Sequence, residues 1–249
     1  MITQEVLNEI AQKAGKAILS IYNSSASMEI VEKSDGSPVT KADYVADAII
    51  KDLLQSKSSY PILSEETPIP YEIRKTWNRF WIVDPLDGTK DFIAKNGQFT
   101  VNIALIENNY PVMGVVYVPV SATTYFAQKR SGAYKDNMKI YNRSTRKDLI
   151  ATDSIFHSTE ETLTFLKNNN ITNILRFGSS IKLCKLAEGE IDVYPRFNGT
   201  KEWDTAAGHI IANEAGCKLI DIRSKAELLY NKKNIKNSYF IASRNNLEF

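Results

Sequence analysis

Histidine and cysteine are nearly missing from this chain of 249 residues, at two each. His157 and His209 form no HExxH pattern, and a Ser/His/Asp combination can be drawn in almost any chain of this size, so histidine-based mechanisms start from a weak position. Cys184 and Cys217 show no metal-ligand spacing, and a reducing, cytoplasmic setting is the simplest inference. A basic tail or lysine run is missing too. With a formal net charge of only +2, the balance speaks against a nucleic-acid coat or an anionic-membrane binder. The longest apolar stretch, 101–120, is broken by Asn102, Glu107, Asn108 and Asn109, which excludes a membrane-spanning helix there. Met1-Ile2-Thr3-Gln4-Glu5 lacks the regions of a signal peptide. The expected partner is therefore a small molecule, not a nucleic acid. Peripheral association with the inner face of the cell membrane stays open, as does the choice between monomer and homodimer.

What is present is an ordinary folding composition, 43% hydrophobic and 24% charged, enough for one large domain or two small ones. Over 3–23, Val6, Leu7, Ile10, Ala14, Ala17, Ile18 and Ile21 recur at helical spacing behind Thr3 as N-cap. Thr40 opens a second helix, with Val45, Ile49, Leu53 and Leu54 as the expected buried stripe and Asp43 and Asp47 one turn apart. The polar stretch 32–38 between them reads as a loop. The period then changes. Segments 60–63, 80–83, 99–106, 112–118 and 123–127 are β-branched or aromatic runs that predict an antiparallel sheet. From 149 onward strands alternate with helices: strands at 149–152, 174–177, 191–194, 217–221 and 239–243, helices at 160–167, 180–188 and 204–215. The expectation is an α+β part over 1–145 carrying an antiparallel sheet, followed by an α/β part over 146–249.

Carboxylates gather at the ends of these elements, where a scaffold places functional groups: Glu65-Glu66, Asp84, Asp87 and Asp204. In Asp84-Pro85-Leu86-Asp87, the proline limits its own φ and biases Asp84 toward extended backbone. Both carboxylates and the Leu86 carbonyl can then meet on one side of a turn, as a hard divalent cation requires. Gly88 permits close backbone approach, and Thr89 can open a helical turn whose N–H groups favour a phosphate. Each feature also has a plainer reading. Asp-Pro and Asp-Gly are common turn dipeptides, Glu65-Glu66 fits a solvated loop, and Asp43 fits a capping box three residues after Thr40. Asp204 fits a helix start. None of these explains their joint occurrence.

Taken together, Trp81-Ile82-Val83-Asp84-Pro85-Leu86-Asp87-Gly88-Thr89, Ser64-Glu65-Glu66 and Trp203-Asp204-Thr205-Ala206-Ala207-Gly208 resemble the signature set of the inositol monophosphatase superfamily. The five fixed residues of D-P-x-D-G-T alone would arise by chance in about one chain of this length in ten thousand. The resemblance implies a layered αβαβα sandwich and a lithium-sensitive phosphatase activated by two or three Mg²⁺ ions. It implies Glu65, Asp84 and the Leu86 carbonyl as ligands of one ion, with Asp84, Asp87 and Asp204 holding a second. Asp43 and Thr89, with Glu65, would activate the attacking water, and Gly88 and Thr89 would bind the phosphate.

Within the superfamily, the forms Asp87-Gly88-Thr89-Lys90-Asp91-Phe92-Ile93 and Tyr194-Pro195-Arg196-Phe197 are similar to its bisphosphate nucleotidase branch. Inositol monophosphatases usually carry an acidic residue where this chain has Phe197, preceded by Arg196. A cation suits a second phosphate better than a polyol, which makes Lys182, Arg196 and Lys201 candidates for it, with Ser179 and Ser180 as further contacts. The expected reaction is removal of the 3′-phosphate of adenosine 3′,5′-bisphosphate. An inositol or other sugar phosphatase is the alternative, and outside enzymes a silent metal- or nucleotide-binding protein.

Overall fold

The computed structural model describes residues 2–24, 30–33, 36 and 38–249. Helix α1 (Gln4–Tyr22) begins at the predicted cap, where the Thr3 hydroxyl accepts from the Val6 N–H, and it buries Leu7, Ile10, Ala14 and Ile18. Strands β1 (Ile30–Glu32) and β2 (Pro38–Thr40) pair antiparallel at both ends of the stretch read as a loop, of which Ser34, Asp35 and Ser37 lie outside the described residues. Helix α2 (Lys41–Lys57) follows. Its fully buried line is Ala42, Ala46, Ile50 and Leu54, while Val45, Ile49 and Leu53 are only half-buried. The stripe is thus rotated from the one expected. The rotation brings Asp43 and Asp47 inward, and it is tolerated because both find partners: Ser64 donates its hydroxyl to Asp47 Oδ1 at 2.5 Å.

Seven strands form the first sheet: β3 (Ile62–Ser64), β4 (Arg79–Asp87), β5 (Thr100–Glu107), β6 (Tyr110–Val118), β7 (Thr123–Gln128), β8 (Gly132–Lys135) and β9 (Met138–Ile140), in that spatial order. All neighbours run antiparallel except β3 and β4, which are parallel, so the wholly antiparallel expectation needs that correction. The segment between them, containing the short α3 (Tyr71–Arg74), is long enough for the crossover that a parallel pair demands. The β8–β9 hairpin was not predicted. Its turn residues Asp136 and Asn137 both have positive φ, 48° and 65°, as a two-residue hairpin turn requires. Helix α4 (Thr89–Ile93) leaves the end of β4.

The second part holds β10 (Ile150–Ser154), α5 (Glu160–Asn168), β11 (Asn173–Phe177), α6 (Ile181–Ala187), β12 (Val193–Arg196), α7 (Glu202–Glu214), β13 (Cys217–Asp221) and β14 (Phe240–Arg244). Its five-stranded sheet has the order β11-β10-β12-β14-β13, parallel across β11, β10 and β12 and antiparallel where β14 joins β12 and β13.

Strand alternation stacks these parts into five layers. Trp81, Val83, Ile103 and Val115 face α1 and α2, while Phe80, Ile82, Ala104 and Val116 face α6 and α7. On its far side that helical layer meets the second sheet through Leu183, Leu186, Ala212, Leu219 and Phe240. Leu166 of α5 covers Ala151 and Val193 on the outer face. The architecture is the αβαβα sandwich expected. Because α7 is the middle layer, it carries apolar residues nearly all round, and its first turn lies between the two sheets.

Candidate active site

The β4 strand does not end regularly. Asp84 pairs with Asn102 and Asp87 with Thr100, so Pro85 and Leu86 together oppose the single residue Val101. Proline has no N–H to offer the ladder, which makes this a natural place for a bulge. The Leu86 N–H instead donates to Asp84 Oδ1 at 3.1 Å. Gly88 then takes φ +91°, a left-handed conformation that disfavours other residues, and turns the chain into α4.

There Thr89 donates its hydroxyl toward Asp43 Oδ1 at 3.3 Å and toward the Leu86 carbonyl at 3.4 Å. Asp43 serves two purposes at once. Its Oδ2 accepts from the Thr40 N–H at 2.8 Å and the Thr40 hydroxyl at 2.7 Å, completing the capping box, and this leaves Oδ1 for Thr89. Burial pushes its carboxyl above the ordinary range against the lowering effect of these bonds.

The carboxylates of Glu65, Asp84 and Asp204 converge, with oxygens all within 4.8 Å of one another. Each comes from a different element: Glu65 just past β3, Asp84 from the bulge and Asp204 from the first turn of α7. The Lys201 N–H holds Asp204 Oδ2 at 2.8 Å. Burial, compounded by the charges of its neighbours, raises Asp84 well above its usual range, and burial with Asp87 and Glu65 brings Asp204 up to about 8. Such a group is costly by itself. Hard oxygen donors packed this closely fit a divalent cation, which would restore the balance. From the hairpin side, Lys33 reaches Glu65 at 3.0 Å and Glu66 at 2.7 Å, while burial lifts Glu66 to about 7.

Asp87 lies beside this trio without belonging to it. Its Oδ2 accepts from the Ser180 N–H at 2.6 Å and, more weakly, from Asn102 Nδ2 at 3.3 Å and Thr100 Oγ1 at 3.5 Å. The partner turn, Gly178-Ser179-Ser180, is tightly built. A side chain at Gly178 would meet the buried Asp91 carboxylate at 2.5 Å, and Ser179 sits at φ +42°. Ser180 directs its hydroxyl into the sheet, donating to Asn102 Oδ1 at 2.8 Å. Lys182 spans the same turn, donating to the carbonyls of Ser179 at 2.7 Å and Phe177 at 3.1 Å. Burial and the nearby Arg196 charge depress its ammonium to about 8.

A cleft of about 390 Å³ opens over these groups, lined by Glu65, Asp87, Gly88, Thr89, Ser179, Ser180, Lys182, Arg196 and Asp204. Every sequence-predicted site residue lines it except Asp43, Asp84, Leu86 and Lys201, and the first three of these are buried behind the wall. Arg196 is buried with its Nε unpartnered among the described residues. Lys201 does not line the cleft; its ammonium lies over the Trp203 ring. Sequence reasoning passed over Lys90, Ser154 and His157, which also line the wall. His157 is held neutral, near 4, by burial and the surrounding Lys90, Arg196 and Lys182 charges. Only proximity in space distinguishes it from any other lone histidine.

The cleft joins a clustered oxygen-donor site, a hydroxyl–carboxylate pair and buried cations, which together suit hydrolysis of a phosphate ester carrying more than one negative group. A model of the inositol monophosphatase family matches residues 3–248. The 3′(2′),5′-bisphosphate nucleotidase CysQ of Salmonella typhimurium is 43% identical over 226 residues, covering 89% of this chain and 91% of that protein. CysQ of Escherichia coli K12 is 43% identical over 222 residues, covering 87% and 89%. The crystal structure of CysQ from Bacteroides thetaiotaomicron, a bacterial member of the inositol monophosphatase family, superposes with a TM-score of 0.87 at 41% identity over 98% of this chain and 97% of that one. Matched over nearly its whole length by that model and by these relatives, the chain belongs to the inositol monophosphatase family.

Proposed function

We propose that the protein is a Mg²⁺-dependent phosphatase that hydrolyses the 3′-phosphate of adenosine 3′,5′-bisphosphate to give AMP and phosphate. The observation that carries this reading is the convergence of Glu65, Asp84 and Asp204 beside the Thr89–Asp43 pair, in a cleft whose wall holds Lys182 and Arg196. Similarity to bisphosphate nucleotidases over most of their length supports the choice of substrate.

Glu65, Asp84, the Leu86 carbonyl, Asp87 and Asp204 would hold two or three Mg²⁺ ions, which when bound supply charge neutralisation and an acidified water. The protein's own groups do the rest. Thr89 Oγ takes a proton from water as its own passes to Asp43 Oδ1, and the raised proton affinity of Asp43 favours that transfer. Water oxygen bonds to phosphorus, the bond from phosphorus to the ribose 3′-oxygen breaks, and that oxygen leaves to take a proton from solvent. No phosphoenzyme forms. Backbone N–H groups at Gly88 and Thr89 orient the transferred phosphate. Arg196, whose Nε has no partner among the described residues, receives the 5′-phosphate together with Ser179. Lys182 contributes charge from beneath the turn that it ties.

The test is phosphate release with Mg²⁺ from a panel: adenosine 3′,5′-bisphosphate, 3′-phosphoadenosine 5′-phosphosulfate, inositol 1-phosphate and fructose 1,6-bisphosphate. Fastest release from the bisphosphate nucleotide is expected. Faster release from inositol 1-phosphate would make this a sugar phosphatase instead, and no release from any of them would leave a binding protein.

A further inference from the structure

Glu65 and Asp84 ride on the seven-stranded sheet, whereas Asp204 comes from α7, so the acidic trio forms only if the start of α7 is held at the right distance. One buried side chain is placed to set that distance. Asn237, in the segment entering β14, is 6% exposed, and its Nδ2 faces three oxygens: Lys201 O at 2.9 Å, Thr205 Oγ1 at 2.9 Å and Thr200 Oγ1 at 3.1 Å. Its Oδ1 accepts from Lys232 Nζ at 3.1 Å, which fixes the orientation of the amide. Its own N–H donates to the Thr200 carbonyl at 2.8 Å. These contacts bracket Asp204 on both sides in the chain. The Thr200 carbonyl so tied belongs to the same peptide group as the Lys201 N–H that holds Asp204 Oδ2, and the Lys201 carbonyl held by the Asn237 side chain opens the next one.

The clamp continues through neighbours. Lys232 pairs with the fully buried Glu202 at 2.8 Å, and the Glu202 carboxylate also accepts the N–H groups of Asn231 and Lys232. Tyr230 donates its hydroxyl to Thr205 Oγ1 at 3.3 Å. We propose that Asn237 is a positioning residue for divalent-cation binding: by fastening Thr200, Lys201 and Thr205 it keeps the Asp204 carboxylate in register with Glu65 and Asp84. This rests on the reading of that trio as a cation site. An outer group that orients a metal ligand changes metal affinity without touching the ion.

The experiment measures Mg²⁺ binding to the full chain by titration calorimetry, without nucleotide, alongside the Mg²⁺ dependence of phosphate release. Asn237→Ala should weaken Mg²⁺ binding by about ten- to a hundredfold, with the concentration for half-activation rising in parallel and KM for the nucleotide at saturating Mg²⁺ unchanged. Asn231→Ala is the control. Asn231 is equally buried in the same segment, but its side chain serves Arg74 and Trp77, so its loss should lower Tm and leave Mg²⁺ affinity as in the wild type. If Asn237→Ala fails to fold, Thr205→Val removes one acceptor at nearly constant volume and should shift Mg²⁺ affinity in the same direction by less. Wild-type affinity in a folded Asn237→Ala or Thr205→Val variant, or an equal loss in Asn231→Ala, overturns the proposal. A wild-type chain that takes up no Mg²⁺ overturns the cation site itself, and the role of Asn237 with it.

Discussion

Two groups of carboxylate withdrawn wholly or partly from solvent are handled in opposite ways in this molecule. Asp192, fully buried ahead of β12, accepts from Ser144 Oγ at 2.5 Å and the Ile150 N–H at 2.9 Å, and pairs with Arg146 and Arg244 at 3.2 Å each. Every direction of that carboxylate is answered by the chain. Glu65, Asp84 and Asp204 face one another instead, and among the described residues the cation that reaches them is Lys33 on Glu65. A buried charge without partners costs several kcal/mol, so a fold keeps one only where something from outside completes it. Burial by itself therefore does not separate function from structure. The distribution of partners does.

The strongest way to break this contrast is Asp84→Asn. Turnover should fall about a thousandfold, as for loss of a group that organises charge in the reacting centre. In metal-free protein Tm should rise, since one of three opposed carboxylates is gone; a lower Tm would mean that Asp84 is a structural acid like Asp192. Asp192→Ala should do the reverse. Leaving the buried Arg244 without its carboxylate lowers stability by about 3–5 kcal/mol in denaturant titration, while kcat measured below the new transition stays within about twofold of the wild type. A large loss of kcat in the folded variant would erase the distinction.

Thr89→Ala should lower kcat by about a hundredfold with little change in Tm, and Thr89→Ser should restore most of it, because the hydroxyl is the working part. Activity unchanged in Thr89→Ala and in Asp43→Asn would remove the proton-transfer role from this pair.

The pH dependence sharpens the contrast further. Asp204, raised to about 8, and Asp84, raised with it, bind protons in the folded state that they release when unfolded near pH 4. The folded state therefore binds more protons between these values, and metal-free stability should fall as pH rises from 4 to 8. Saturating Mg²⁺ should flatten that slope. Thermal melts at four pH values, with Mg²⁺ and with chelator, measure it, and parallel slopes in the two series would disconnect the trio from the cation.

Much of this was readable in the residues themselves. The spacing of Leu7, Ile10, Ala14 and Ile18 gave α1, and Trp81 to Thr89 pointed to the candidate site because five fixed residue types seldom coincide without a shared chemical demand. Other features depend on contacts that no local pattern records. The parallel register of β3 with β4 depends on where a crossover lands. The inward turn of α2 depends on Ser64 and Thr89 waiting for its aspartates. Asp43 resisted a choice between cap and catalyst because its two oxygens divide the work. Lys182 reads as a free cation in sequence, yet its ammonium is bound to the turn beneath the cleft. Asn237 carried no signal at all, as its meaning lies in three oxygens brought to it by a distant helix.

The bulge at Pro85 and Leu86 has one more consequence, which concerns parity. In a regular strand, residues three apart point to opposite faces, so Asp84 and Asp87 would be separated by the whole thickness of the sheet. The additional residue resets the count. Asp84 follows Phe80 and Ile82 toward α7, Leu86 drops to the side of Trp81 and Val83, and Asp87 rejoins Asp84 beside Thr100 and Asn102. The bulge thus cancels the change of sides that a spacing of three would otherwise impose. Removing both Pro85 and Leu86 would leave every signature carboxylate in the sequence and, with the two aspartates now adjacent, send one of them to the wrong layer.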